Sequence, residues 1–276
     1  MGPAALVRAR VGARQDAHRL LLNRLDSPIF DPLRPALARL PADRWPTHAE
    51  LTALAGGVTT SRGRALRFIA PREHTDRERR YYELHIAETG EVETRPGNWH
   101  DLFNALVWIM FPRAKATINA QHAAILEQGG EAEAKHRSPA RDALTVFDEG
   151  GVIVAAGDHA LTQLIVDFEW KELFWRRRAE LESGVRFFAF GHALYEKGLD
   201  PYIGMVAKTV FVDFTADTAE ADRLLAAHFS DRSRFPSPKS MAPMPVLGVP
   251  GWHPDTSSES FYDDAKHFRG KSAPAA

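Results

Sequence analysis

The chain has 276 residues, 44% of them apolar and 26% charged, a globular composition that excludes disorder as the main state. Its formal charge of −1 points to no polyanionic partner. The absence of cysteine excludes a thiol nucleophile, a disulfide framework and a cysteine-ligated zinc or iron–sulfur site.

Any metal must therefore rest on His, Asp, Glu or Asn. A chain of this length buries roughly three quarters of its unfolded surface, so folding needs no ion. Arginines interrupt every apolar stretch of the N-terminus, leaving no signal-peptide core. The longest apolar run, Ala105–Phe111, is far below the ~20 residues of a membrane span. A cytoplasmic protein with no membrane partner is expected. Charge is uneven: residues 1–80 hold 15 Arg and 8 acidic residues, and seven of those arginines lie between Arg62 and Arg80. Phe68 alone interleaves with them, too little to stack bases, so the segment reads as a solvated arginine-rich surface and nucleic acid is not an expected partner.

Residues 1–60 read as a helical, proline-punctuated segment, with helices over Asp16–Leu25 and Ala49–Leu54. Residues 61–269 read as one α+β domain, and 270–276 as a free tail. The domain opens with a strand at Ala65–Ile69 and a hairpin joining Tyr81–Ile86 to Val92–Arg95 through Gly90. Helical spacing over Trp99–Leu126 is cut by Pro112, which predicts two helices, about 99–111 and 113–127, the first capped by Asn98. A second hairpin is expected from Ala143–Phe147 through Asp148-Glu149-Gly150-Gly151 into Val152–Ala156. Asp158 is placed to cap a helix running on to Phe174. Then follow a strand at Val185–Phe190, a short helix at Gly191–Lys197, a strand at Val206–Phe214 and a helix at Thr218–Phe229. The C-terminal stretch is rich in Pro, Gly and Ser, yet carries apolar anchors from Val246 to Phe268, so it reads as an irregular segment docked on the domain. Hairpins mixed with helices, without sustained βαβ alternation, favour α+β over a doubly wound sheet.

Polar residues inside apolar helices are the candidates for chemistry. The helix of Leu102–Met110 is apolar almost all round, yet its start carries His100, Asp101 and Asn104, with His100 and Asn104 on one face. They serve either the helix terminus or a cleft. Lys115, Asn119 and His122 follow at i, i+4 and i+7, one polar stripe bordering the core, either solvated or a continuation of that cleft. His192 and Glu196 share a face of the later short helix, as an acid–base unit, a pair of metal ligands or a surface ion pair. Asp148 and Glu149, in the expected hairpin turn, are weaker candidates, since neighbours in a strand point to opposite faces. The chain has no G-x-G-x-x-G, no phosphate-binding G-x-x-x-x-G-K-[ST] and no G-x-S-x-G elbow, so no nucleotide cofactor is expected.

Four segments, TRPGNWHDLFNALVWIMFPRAKATIN, RDALTVFDEGGVIV, FGHALYEKGLDPY and PMPVLGVPGW, together resemble the bacterial family catalogued as domain of unknown function 3025. The resemblance runs from about Arg64 to Arg269. It implies a bacterial origin and a single domain, and it brings no activity. Two functional readings follow from the residues. In one, His100, Asp101, His192 and Glu196 are the catalytic groups of a hydrolase working by acid–base chemistry or with Mn²⁺, Fe²⁺ or Zn²⁺, and Asn104, Lys115, Asn119, His122, Asp148 and Glu149 bind its small-molecule substrate. In the other, the protein is a non-catalytic module that binds a small ligand or another protein.

Overall fold

The computed structural model describes residues 23–271. Most of the helix expected over Asp16–Leu25, and residues 272–276 of the expected tail, lie outside them. Asn23–Asp26 forms a single 3-10 turn, and 3-10 helix Pro28–Leu33 follows into the short helix α1 (Arg34–Leu37). Helix α2 (His48–Leu54) begins at a capping box in which Thr47 and Glu50 satisfy each other's backbone groups. Ile29, Phe30, Leu33 and Leu51 are buried in the same apolar cluster as the rest of the chain, so the N-terminal segment from Leu25 onward packs as part of one core.

The chain is α+β. Its main sheet has four strands in the order β4-β3-β5-β6, with β3 (Gly151–Ala156) antiparallel to β4 (Val185–Ala189), parallel to β5 (Val206–Val212), and β5 antiparallel to β6 (Pro243–Pro245). A separate pair, β1 (Arg67–Ile69) and β2 (Glu91–Glu93), is parallel. The central β3 is buried from Gly151 to Ala155, as a strand covered on both faces must be.

Both expected hairpins are corrected. Residues 76–89 are helical: α3 (Asp76–Arg80) starts at a capping box of Thr75 and Glu78, and α4 (Tyr82–Thr89) ends at Gly90. Gly90 takes a left-handed φ of 73° and closes the helix, where the hairpin reading used it as a turn. The chain between β1 and β2 is thus a helical crossover, which is why those strands run parallel. Residues 139–150 are also helical. Ser138 caps helix α7 (Pro139–Gly150), Pro139 occupies its first turn, and Ala143, Leu144 and Phe147 form its buried face. Asp148-Glu149 is therefore the last turn of a helix, and Gly150-Gly151 its exit into β3.

The helices that carry the polar residues fall close to expectation. α5 (Trp99–Met110) is capped by Asn98, and Pro112 opens α6 (Pro112–Lys135), which is broken near its end by Gly130 with φ 56° and ψ −139°. Asp222, buried on α11 (Thr218–Ser230), caps α6 from outside: its two oxygens accept the Arg113 and Ala114 N–H at 3.1 and 2.7 Å. The helix opened by Asp158, α8 (His159–Asp167), stops at Phe168, whose left-handed φ of 64° ends it well before Phe174; a π-turn, Glu172–Arg176, and α9 (Arg178–Gly184) then lead into β4. α10 (His192–Gly198) follows β4 after Phe190-Gly191. The C-terminal segment is docked as expected, with Val246, Leu247, Val249, Trp252, Tyr262 and Phe268 buried. No helix among the described residues is long and apolar enough to cross a membrane.

Candidate metal centre

The site is built where α5, α6, α7 and α10 meet. Aromatic packing sets α5 against α10: the rings of Phe103 and Tyr195 lie 5.7 Å apart, Phe30 stacks on both, and the Tyr195 hydroxyl donates to the Ala189 carbonyl at the end of β4. The β4–α10 corner is locked to the α7–β3 corner by the Gly151 carbonyl, which accepts the Phe190 and Gly191 N–H, both at 3.0 Å. Gly191 is obligatory there, because a Cβ on it would stand 2.4 Å from the Glu149 carbonyl oxygen. This close backbone contact brings the residue after Gly191, His192, beside Asp148 and Glu149.

The two histidines face each other. Their ring centroids are 4.5 Å apart, and the Nε2 atoms of His192 and His100 lie 3.0 Å apart. His100 directs Nδ1 at the Glu196 carboxylate at 3.0 Å. His192 Nδ1 lies 3.5 Å from the Asp148 carboxylate, an ion-pair distance, and makes no hydrogen bond of ordinary geometry among the described residues. If both rings carry a single proton, on the Nδ1 that faces a carboxylate, each presents a lone pair at Nε2. Two lone pairs at 3.0 Å repel unless a proton or a cation lies between them. Glu149 supplies the third group, its Oε2 3.6 Å from His192 Nε2. Ligand atoms of His100, Glu149 and His192 all lie within 4.8 Å of one another. Around a four-coordinate zinc with bonds of ~2.0 Å, neighbouring ligands are spaced by ~3.3 Å, which the two short separations bracket.

Electrostatics suit such a centre. Burial pushes the His192 imidazole down to about 4, against the pull of Asp148, so the ring is neutral near pH 7 and its lone pair is free. Burial likewise raises the Glu149 carboxyl. Asp148 feels the same burial, but the charge of the Lys115 ammonium and its hydrogen bonds lead the effects that outweigh it and hold the carboxyl below the ordinary range. Lys115, 5% exposed, is gripped by both Asp148 oxygens at 2.7 and 2.8 Å and by Asn104 Oδ1 at 2.9 Å, with its ammonium 5.3 Å from the centre of the Trp108 ring. A chain Asn104–Lys115–Asp148–His192 thus supports the pair from behind, the arrangement that orients ligand histidines.

A cleft of about 310 Å³ runs from this pair along α6 and α7, large enough for a small molecule. Nine of the sequence candidates line it: His100, Asp101, Asn104, Lys115, Asn119, His122, Asp148, Glu149 and His192. Glu196 stands behind His100 and is half-exposed, with 45% of its side chain open. Asp101 is committed elsewhere: it accepts the Arg95 N–H, Nε–H and Nη2–H at 2.7, 2.8 and 2.9 Å, so it shapes the wall. The adjacent pair Asp148-Glu149, discounted as strand neighbours, both reach His192, because the last turn of a helix lets consecutive side chains converge on a group seated at its end.

Sequence reading missed Tyr82, Glu83 and Arg137, and gave Arg141 no place in a cleft, although all four line it. Tyr82 and Glu83 were hidden by the strand reading of 81–86. Arg141, Thr145 and Asp148 fall at i, i+4 and i+7, the same polar stripe that α6 shows at Lys115, Asn119 and His122; the period was present in the sequence once 139–150 is read as a helix.

The chain belongs to the family described as protein of unknown function, DUF3025, whose pattern matches residues 66–272. No curated protein and no solved structure matches it.

Proposed function

We propose that this protein is a cytoplasmic bacterial hydrolase whose centre is a divalent metal ion held by His100, His192 and Glu149, with a small molecule as substrate. One observation carries the reading: two imidazoles whose Nδ1 atoms each face a carboxylate bring their Nε2 atoms to 3.0 Å, with a third carboxylate alongside. His/His/carboxylate sets suit zinc, and suit Fe²⁺ or Mn²⁺ where the carboxylate character matters more. When bound, such an ion acidifies water and polarises the bond to be cleaved. The chain's own groups orient and support: Glu196 holds His100, Asp148 holds His192, and Lys115 with Asn104 holds Asp148. A chain without cysteine fits a reducing, cytoplasmic setting.

The test is metal analysis of the purified protein and of His192→Ala and Glu149→Gln, paired with a panel of generic ester, amide and phosphoester substrates. The parent is expected to carry close to one equivalent of Zn, Fe or Mn, and each variant to lose at least about tenfold in metal affinity. A parent that binds none of these ions after dialysis against each would overturn the metal centre. It would favour the second reading, a non-catalytic binding cleft, for which the same contact of 3.0 Å is a hydrogen bond through a proton on one ring.

A further inference from the structure

The far end of the cleft holds a second set of polar groups that the metal centre does not use. α6 and α7 form a helical hairpin, so their polar stripes run antiparallel: Lys115 faces Asp148 at one end, and His122 lies among Arg137 and Arg141 at the other. Seven residues of helix separate the two ends, ~10 Å at 1.5 Å per residue. His122 is 4% exposed and makes no hydrogen bond among the described residues, and its Nδ1 is fully enclosed. Arg141, 7% exposed, donates through Nη1 to the Glu133 carbonyl and lies 3.6 Å from the Glu133 carboxylate, but its buried Nε has no partner among the described residues. Arg137, at the rim, makes no hydrogen bond or ion pair among the described residues. Glu83, a cleft carboxylate nearby, accepts from the Asn119 amide at 2.8 Å. Buried polar groups are almost always satisfied, and here the described residues leave over the Arg141 Nε–H, the His122 Nδ1 and one acceptor, the Asn119 Oδ1.

We infer that this end is a subsite for an oxyanion of the substrate, a carboxylate or a phosphate about 10 Å from the Asp148 end of the cleft, bound by Arg137 and by the free donors of Arg141 and His122. The inference rests on the reading of His100, His192 and Glu149 as the reacting end. It makes the substrate a small, extended anion that spans the cleft, and a planar guanidinium fits either oxyanion.

The experiment separates the subsite from the metal. Inorganic phosphate and acetate are titrated by calorimetry into the full-length protein, once as purified and once treated with chelator, and into Arg137→Gln, at constant ionic strength. Arg137 is exposed, so its replacement leaves the fold intact. Saturable binding of one of these anions that survives chelation, and that weakens about tenfold or more in Arg137→Gln, is expected. The anion that binds more tightly assigns carboxylate or phosphate. Arg141→Lys, which keeps the charge but removes Nε, should weaken the same anion while leaving metal content unchanged. No binding of either anion, or equal binding by parent and Arg137→Gln, would overturn the subsite and leave the donors satisfied by water alone. A parent without metal that still binds the anion through Arg137 would overturn the hydrolase reading and spare the subsite.

Discussion

Gly191 carries more of the site than any charged residue does, although it offers no functional group. Its backbone lies so close to Glu149 and Gly150 that a Cβ would meet three backbone atoms within 2.5 Å. Gly191→Ala must push α10 away from the end of α7, and His192 and Glu149 move apart with them. We expect a lower melting temperature together with loss of metal, both larger than for Gly157→Ala, where a Cβ meets only the Phe214 Cβ at 3.7 Å. Thermal melts with metal analysis check this; an unchanged metal content in Gly191→Ala would show that the corner does not set the ligand geometry. Lys115 is the second residue-scale case. Removing its charge in Lys115→Met leaves the Asp148 carboxylate poorly exposed and uncompensated, which costs about 3–5 kcal/mol for a buried pair. Denaturant titration measures the loss, and the double variant Lys115→Met, Asp148→Leu should recover part of it.

At the scale of elements, the start of α6 depends on a side chain from another helix. Pro112 ends α5 and leaves the first N–H groups of α6 without intrahelical partners, and Asp222 of α11 accepts two of them. Burial raises the Asp222 carboxyl to about 6, against the effect of those hydrogen bonds. Because the folded value lies above the unfolded one near ~3.9, the protonated form stabilises the fold. That contribution is full below pH ~3.9 and is lost as the pH rises through about 6. Asp222→Asn keeps an acceptor without the charge. The difference in melting temperature, variant minus parent, is therefore expected to grow as the pH rises from ~4.5 to ~7.5; a difference that shrinks over this interval would contradict the assignment. Both misread hairpins belong to this scale too. In each, a glycine that closes a helix carries the same local signature as a glycine in a β-turn, and the capping residues Thr75 and Ser138 decide between them.

For the whole molecule, one apolar cluster runs from Leu25 to Phe268, and a core of this extent is expected to hold the fold without an ion. Chelation should leave the protein folded but less stable, since a ligand that binds only the native state stabilises it by mass action. For the proposed metal centre, a melt that rises on adding Zn²⁺, Fe²⁺ or Mn²⁺, and not on adding Mg²⁺, is the expected outcome. Acid acts on the molecule through its buried histidines. Burial lowers His192 and His228 to about 4, and lowers His122 and His267 as well. Folded values below the ordinary ~6.5 mean that the unfolded chain takes up protons first. Stability is then full above pH ~6.5 and falls as the pH drops towards about 4. Melting temperatures between pH 7.5 and 4.5 should show this decline, less steeply in His228→Gln, and more steeply in Asp222→Asn, which lacks the opposing gain.

The sequence by itself determined the two helices on either side of Pro112, the polar stripe of Lys115, Asn119 and His122, and the docked C-terminal anchors. Each of these depends on local periodicity, a proline or a run of apolar side chains, and such signals act within a few turns. It also singled out His100 and His192, polar residues at starts of apolar helices. Only the tertiary structure decided that their Nε2 atoms meet at 3.0 Å across 92 residues of chain, that Glu149 joins them, and that Asp101 is held by Arg95. Those contacts depend on the close approach of two backbone corners at Gly191 and Gly151 and on the stacking of Phe103 with Tyr195, and no periodicity along one segment encodes a distance to another.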